Sequence, residues 1–390
     1  MIVPVILCGL MSLVILFFVI ANNGFSAVSI FYGLFLMFLY GGMTFAENKK
    51  KGSGTVYRRI FLTTYAVFFC IGFIANLFAE RGSMAITNEA LATCELPFCH
   101  IVIPQGLLSY LATQTVIFPA RVSGHFASIA SMLAIWLVFT LVLGRGWCAW
   151  VCFYGGWDEG FSHVAKKRRI NLLAHNKEIR DFQFGFLFFL ALACFGTMSA
   201  LYCDWFCPYK IVTEFFPMTT ISGLIAGIIF IGLFLGLVVV LPILTKRRTQ
   251  CSMLCPFGAF ASLTDKLSPF KMRIDTEKCK GCMKCAQACP FGAIDIATIQ
   301  QKKGSPEITC AKCGECVAVC PEKAISYQFR FNKGCCAPEP KTKFAKGIQK
   351  FFAPENLFRF AAFTFGAIMS STFAINSIEV ILNFFCTLTY

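Results

Sequence analysis

Apolar residues run through this chain in long blocks rather than in short alternating stretches. Leu, Ile, Val, Phe, Ala and Gly dominate residues 2–20, 25–45, 60–79, 126–143, 182–202 and 223–244. Each block approaches the roughly 20 residues a helix needs to cross a hydrocarbon core, which predicts an integral membrane bundle of about six transmembrane helices, with room for a seventh. The first block lacks a basic n-region and an A-x-A-like site, so it reads as a retained helix. Residues 96–118 are apolar too, but a span there would reverse everything downstream, so the segment reads as re-entrant or interfacial. The tail from Phe360 to about Phe385 reads either as one long span or as a surface-lying helix, because Asn376 and Glu379 interrupt it.

The polar positions between blocks are unevenly charged. Residues 46–59, 144–181 and 246–248 carry fifteen Lys and Arg, whereas 21–24, 80–125 and 203–222 carry three (Arg81, Arg121 and Lys210). Short Lys/Arg-rich loops stay inside, so both ends of the six-helix bundle and the stretch from Gln250 to about Phe352 are expected in the cytoplasm. Across 390 residues, 57% are hydrophobic and 14% charged, with a net charge of +15 and a mean hydropathy of +0.68. That excludes a purely water-soluble protein. It also makes the positive balance a topology signal rather than a sign of nucleic-acid binding.

Twenty-two cysteines change the picture further. Two runs, Cys279-x2-Cys282-x2-Cys285-x3-Cys289-Pro290 and Cys310-x2-Cys313-x2-Cys316-x3-Cys320-Pro321, point to two [4Fe–4S] clusters. A cubane needs four converging thiolates: three come from a turn spaced every third residue, the fourth from elsewhere. Structural zinc needs only paired Cys, with no third in register. The runs resemble those of bacterial two-cluster ferredoxins. That resemblance implies that Cys279, Cys282, Cys285 and Cys320 hold one cluster, and Cys310, Cys313, Cys316 and Cys289 the other. Between the runs, a short hairpin-and-helix unit is expected in each half, with Ala293–Ile296 and Ala324–Tyr327 as equivalent strand starts.

Four further pairs fall at block ends: Cys94-x4-Cys99, Cys148-x3-Cys152, Cys203-x3-Cys207 and Cys251-x3-Cys255. An i, i+4 pair lies on one helix face, so two pairs offer four thiolates. The topology places Cys148, Cys152, Cys251 and Cys255 at the inner face, as a third cluster or as unligated thiol pairs. It places Cys94, Cys99, Cys203 and Cys207 at the outer face, as a fourth cluster or as two disulfides in an oxidising compartment. Two centres on opposite faces would be separated by about 30 Å. The Gly144–Cys152 and Cys251–Ala259 segments resemble paired motifs of the polyferredoxin membrane proteins. That superfamily includes the NapH-type quinol dehydrogenase subunit, the nitrous-oxide-reductase regulator and the cytochrome oxidase assembly ferredoxin. The likeness covers about residues 126–330. Phe153 replaces the usual Pro, and the outer quartet and N-terminal helix pair are not covered.

No Gly-x-Gly-x-x-Gly after a strand, no Walker loop and no in-span His pair appears, which argues against nucleotide and haem chemistry. Quinol oxidation needs a proton acceptor; His125 with Arg121, or Asp158 with Glu159, are candidates. Lys210 would steady cluster charge or mark the headgroup layer. Cys8, Cys70 and Cys194 read as small apolar residues; Cys386 and the Cys335-Cys336 doublet match no ligand spacing.

The expected organisation is an N-terminal hairpin and basic loop (1–59), a four-helix region with the Cys pairs (60–270), an inserted cytoplasmic α+β two-cluster bacterial ferredoxin-like domain (271–336), a linker (337–356) and a C-terminal apolar helix (357–390). The expected function is electron relay in a prokaryotic inner membrane, between a cytoplasmic or quinone donor and a partner at the outer face. The protein would work with the quinone pool and other redox subunits. The head's eleven Lys or Arg against six acidic residues suit an acidic donor or anionic lipid. An assembly factor or a redox sensor acting on a client protein's metal or thiol are the alternatives.

Overall fold

The computed structural model describes residues 2–84, 99–115, 117, 121–122, 125–126, 129–214, 220–331 and 342–388. Six helices among them are long and apolar enough to cross a membrane: Ile2–Ala21, Ala27–Lys49, Thr55–Ala79, Asn176–Thr197, Ile221–Thr245 and Pro354–Cys386. Five match the blocks read from the sequence. The sixth is the tail, whose status the sequence left open. The block at 126–143 contributes a helix over Ile129–Val142, whose 14 described residues rise about 21 Å.

Local chemistry sets several helix starts. Ser26 accepts the Ser29 backbone N–H at 3.1 Å while the Ser29 hydroxyl accepts from Ser26, closing a capping box. Thr220 Oγ1 accepts the Gly223 N–H at 3.1 Å, a one-way cap. The tail helix, Pro354–Leu388, lies against the Thr55–Arg81 helix because glycines allow it. A Cβ on Gly72 would come within 2.7 Å of the Phe373 carbonyl oxygen, and one on Gly366 within 2.7 Å of the Phe61 ring. Across the hairpin, the Tyr32 hydroxyl meets Ser370 Oγ at 2.7 Å. Outward faces carry exposed Phe17, Phe31 and Phe188, the surface expected where lipid replaces water.

Residues 99–113 lie within the stretch read as re-entrant or interfacial. The helix Ile103–Thr113 is 11 residues long, too short to span, and packs against Asn176–Thr197 and against Pro256–Thr264.

Among its described residues the head contains one antiparallel pair, Phe270–Ile274 with Ile325–Phe329, in a register that sets Met272 opposite Tyr327. This corrects the expected hairpin in each half. Ala324–Tyr327 does open a strand, but Ala293–Ile296 does not. The Asp295 side chain accepts the Thr298 N–H at 2.6 Å and caps a helix over Ile296–Gln300, so capping overrides the β-branched residues. A helix over Lys343–Phe351 lies within the stretch read as a linker.

Gly156, in the helix Phe153–Ser162, sits where a Cβ would collide with the Leu62 carbonyl and with Ala66. Backbone cannot move aside cheaply, so overpacking outweighs the gain in helix propensity. Gly156→Ala is expected to destabilise the protein by about 1–3 kcal/mol, read as a lowered Tm in detergent; an unchanged or raised Tm would contradict this close helix approach.

Candidate iron–sulfur centres

In the head, the backbone repeats itself around two recesses. Gly281 (φ 70°) and Met283 (φ 61°) in the first run, and Lys312 (φ 52°) and Gly314 (φ 85°) in the second, are left-handed at equivalent positions. These turns swing three thiols inward per run. One recess is lined by Cys279, Cys282, Cys285 and Cys320. The other is lined by Cys310, Cys313, Cys316 and Cys289, so the fourth cysteine of each run crosses to the other's recess. The Ala293 N–H points at Cys289 Sγ and the Ala324 N–H at Cys320 Sγ, both at 3.3 Å. Such donors stabilise negative charge on sulfur. Burial raises the Cys285 thiol to about 11 and the Cys310 thiol to about 12, so a multivalent cation is what would hold these groups as thiolates.

The same backbone geometry recurs outside the head. Cys289 and Cys320 have (φ, ψ) of (−71°, 111°) and (−76°, 111°). Cys152, Cys207 and Cys255 adopt (−69°, 111°), (−79°, 109°) and (−70°, 114°). Proline restricts the preceding residue to this extended region; Cys152 adopts it although Phe153 follows. Each motif therefore breaks between its two cysteines. Cys148 ends up in the helix Gly146–Trp150, and Cys203 and Cys251 in π-helical turns. This corrects the expectation of pairs on one continuous helix face.

Cys148, Cys152, Cys251 and Cys255 are gathered within mutual electrostatic range and framed by charges that the sequence reading had counted as loop signals. Arg248 Nη1 donates to the Cys148 carbonyl at 2.7 Å and its Nη2 to that of Gly155. Gln183 Nε2 donates to the Cys251 and Cys255 carbonyls at 2.9 and 3.1 Å, and Asp158 accepts the Cys251 N–H at 3.0 Å. Arg145 is fully buried beside Cys148, Cys251 and Cys255, and its Nε and Nη2 have no hydrogen-bond partner among the protein groups. A buried guanidinium of this kind needs an anion, and a thiolate-bound cube provides one. The residues fit the group.

Arg58 joins this quartet to the head. It donates to the Ala149 carbonyl at 2.9 Å and pairs with Glu159 at 2.7 Å and Glu315 at 2.9 Å. Glu315 adjoins Cys316. Arg145 and Arg248 also lie over the Phe291 ring, at 5.7 and 5.0 Å. Lys312 reaches the Leu143 carbonyl at 3.0 Å and pairs with Asp265. Asp158 and Glu159 are fully buried: Glu159 pairs with Arg58 and Arg248, while Asp158 accepts the Cys251 N–H through Oδ2 and its Oδ1 has no hydrogen-bond partner among the protein groups. Glu159 and Glu315 also lie near His163, but Arg58, Arg59 and Arg248 already pair with them.

Cys99 packs against Cys203, and Cys207 is within electrostatic range of both. Cys99, Cys203 and Cys207 are free thiols. Cys94, Cys335 and Cys336 lie outside the described residues. Lys210 is buried beside the three thiols, so it is no headgroup marker. His125 and Arg121 lie in two short strands whose backbones pair antiparallel.

The expected 30 Å gap between the two membrane sites is not there. Cys99 Sγ lies 3.8 Å from the Tyr154 hydroxyl, and His100 Nε2 lies 3.5 Å from Cys152 Sγ. Tyr154 stacks on Tyr209 at 4.4 Å, and the Tyr209 hydroxyl donates to the Tyr154 carbonyl. Segments 99–113 and 200–213 fold back into the bundle and carry the far thiols to the near ones.

A 4Fe-4S binding domain family matches residues 272–295. A second family of the same description matches three times, over 125–171, 182–229 and 226–275. The middle match holds Cys203 and Cys207, so the far pair is a further copy of the near motif. An uncharacterized protein of Methanocaldococcus jannaschii is 26% identical over 217 residues, 54% of this chain and 83% of that one. The "Putative electron transport protein YccM" of Escherichia coli is 29% identical over 211 residues, 51% of this chain and 55% of its own length. The "Ferredoxin-type protein NapH" of Haemophilus influenzae is 26% identical over 205 residues, 51% and 68%. Over about half of its length the chain is similar to a NapH-type ferredoxin protein and to a putative electron transport protein. It thus spans little more than half of YccM, and its N-terminal helix pair and C-terminal helix lie outside the family matches. No solved structure matches it.

The crossed lining generates a test. Cys320→Ser should change the EPR signal altered by Cys279→Ser, and Cys289→Ser the signal altered by Cys310→Ser. Pairing within each run instead would contradict the crossing.

Proposed function

We propose that this protein is a membrane iron–sulfur electron carrier and a quinol-dehydrogenase-like subunit, relaying electrons between a cytoplasmic or quinone donor and a partner at the outer face. The observation that carries this reading is the series of thiol sites, each within electrostatic range of the next or bridged to it by a side chain. The first and second recesses adjoin through Cys285 and Cys316. Arg58 and Glu315 link the second to the Cys148 quartet, and His100 and Tyr154 link that quartet to Cys99. In this reading Cys279, Cys282, Cys285 and Cys320, then Cys289, Cys310, Cys313 and Cys316, then Cys148, Cys152, Cys251 and Cys255, hold three cubes. Cys203, Cys207 and Cys99 hold a fourth, completed by Cys94. Bound cubes supply one-electron chemistry at potentials set by sulfur hydrogen bonds, burial and nearby charge. The chain's part is to orient and tune: the Ala293 and Ala324 amides, Arg145, Arg248 and Lys210 place positive charge around sulfur.

The inner-membrane, head-inside orientation is part of this proposal. Arg58, Arg145, Arg247 and Arg248 are buried and cannot serve as loop charges. Setting them aside leaves eleven of the fifteen inner charges, and setting aside buried Lys210 leaves two of the three outer ones. The imbalance therefore survives.

In anaerobic membranes without added partners, a menaquinol analogue is expected to bleach the protein's visible absorption within minutes. Bleaching by dithionite but never by the quinol would overturn the quinol-linked role. Protease should cut the head only in inside-out vesicles; cutting in right-side-out vesicles would reverse the orientation.

A further inference from the structure

One cavity belongs to none of the matched 4Fe-4S repeats. It lies between the first two helices, the start of the tail helix and the face of the head that carries Cys320. Its volume is about 640 Å³, within the range of roughly 300–1,000 Å³ typical of small-molecule sites. Val3, Leu7, Tyr40 and Met43 form a wall on the membrane side, while Val317, Cys320 and Pro321 close the side toward the first recess. The polar groups are unevenly placed. Lys49, Lys50, Lys51 and Lys350 stand at the mouth, exposed.

Inside are two carboxyls and one guanidinium. Arg359 meets Glu47 at 3.0 Å and Glu355 at 2.8 Å, with the Arg and Glu47 side chains each 8% exposed and the Glu355 side chain 17%. Glu47 also accepts the Gly52 and Gly54 N–H groups at 2.5 and 3.1 Å, so its charge is fully satisfied. Glu355 meets Arg359, shares a side-chain hydrogen bond with Glu47 and lies within electrostatic range of Lys51. It is the more exposed of the two carboxyls and accepts no backbone N–H, so its hydrogen bond to Glu47 is the one an occupant can exchange with.

We propose that this cavity binds the head group of an isoprenoid quinone or quinol, with Glu355 as the hydrogen-bonding partner of a ring oxygen and the apolar wall of the first helix guiding the tail. The proposal rests on the quinol-linked reading above and adds its location. The chemistry selects the occupant. An anionic phosphate headgroup would be drawn to the mouth lysines but repelled by the inner carboxyls. A polar soluble donor would leave the Val3, Leu7 and Met43 wall uncovered. A neutral ring with two oxygens and an apolar tail satisfies both zones, beside a thiol of the first recess.

The test uses the full chain in nanodiscs with a photoactivatable azidoquinone of short isoprenoid tail. Crosslinks are expected in peptides covering residues 2–9, 40–51 and 350–359. Thr44→Trp, which fills the cavity from a half-buried position, should weaken binding at least tenfold with unchanged iron content, and Glu355→Gln should weaken binding of the quinol form about tenfold. Crosslinks confined to other segments, while a quinol still bleaches the wild type, would overturn the site and spare the quinol-linked reading. Labelling of these peptides without any bleaching would uphold the site and overturn that reading. A phospholipid retained in the cavity by native mass spectrometry and not displaced by quinone would make it a lipid site and overturn the proposal.

Discussion

Burying sulfur and charge together is the constraint on which the rest of this structure depends. Arg58, Arg145 and Arg248 are fully buried, and an unpaired buried cation costs several kcal/mol. The fold answers with a lattice of acids and carbonyls: Glu159 between Arg58 and Arg248, Glu315 from the head, and the Cys148 and Gly155 carbonyls. That lattice ties the head to the bundle, because Glu315 pairs with Arg58 and Lys312 reaches the Leu143 carbonyl. Arg145 keeps unpartnered nitrogens beside three thiols, and these define where negative charge belongs.

A second device, the break inside each Cys-x3-Cys motif, distributes such sites. A short helix or π-helical turn carries the first cysteine, and the extended second cysteine starts a new direction. The Cys289 and Cys320 ends of the ferredoxin runs use the same conformation, so one local solution to aiming a thiol serves both the soluble-looking head and the lipid-embedded bundle. Packing of residues 99–113 and 200–213 against the bundle brings the far thiols close to Tyr154 and Cys152. Tyr154, Tyr209 and His100 fill the space between sites with aromatic rings instead of lipid.

Much of this was legible in the sequence. Block length announced five of the six described crossing helices, and register in the two Cys-x2-Cys-x2-Cys runs announced the head recesses. What stayed hidden depended on distant contacts. Arg58, Arg145 and Arg248 look like headgroup charges until Glu159, Glu315 and the cysteine carbonyls are seen around them. The tail's Asn376 and Glu379 suggested an interrupted span, yet Gly72 and Gly366 let the helix pack closely all the same. Ala293–Ile296 carried a strand signal that the Asp295–Thr298 cap overrode. The kinship of Cys203-x3-Cys207-Pro208 with Cys251-x3-Cys255-Pro256 was visible as spacing; only their shared backbone geometry and family match made it a repeat. The distance between the two membrane sites was not readable at all, because block length says where helices end and not which loops fold back.

The central claim is that all four thiol sites hold cubes. Iron and acid-labile sulfide per chain, measured on anaerobically purified full-length protein, test it most directly. The account predicts a value near sixteen irons, about four for each cube; a value near eight would confine iron to the head and contradict it.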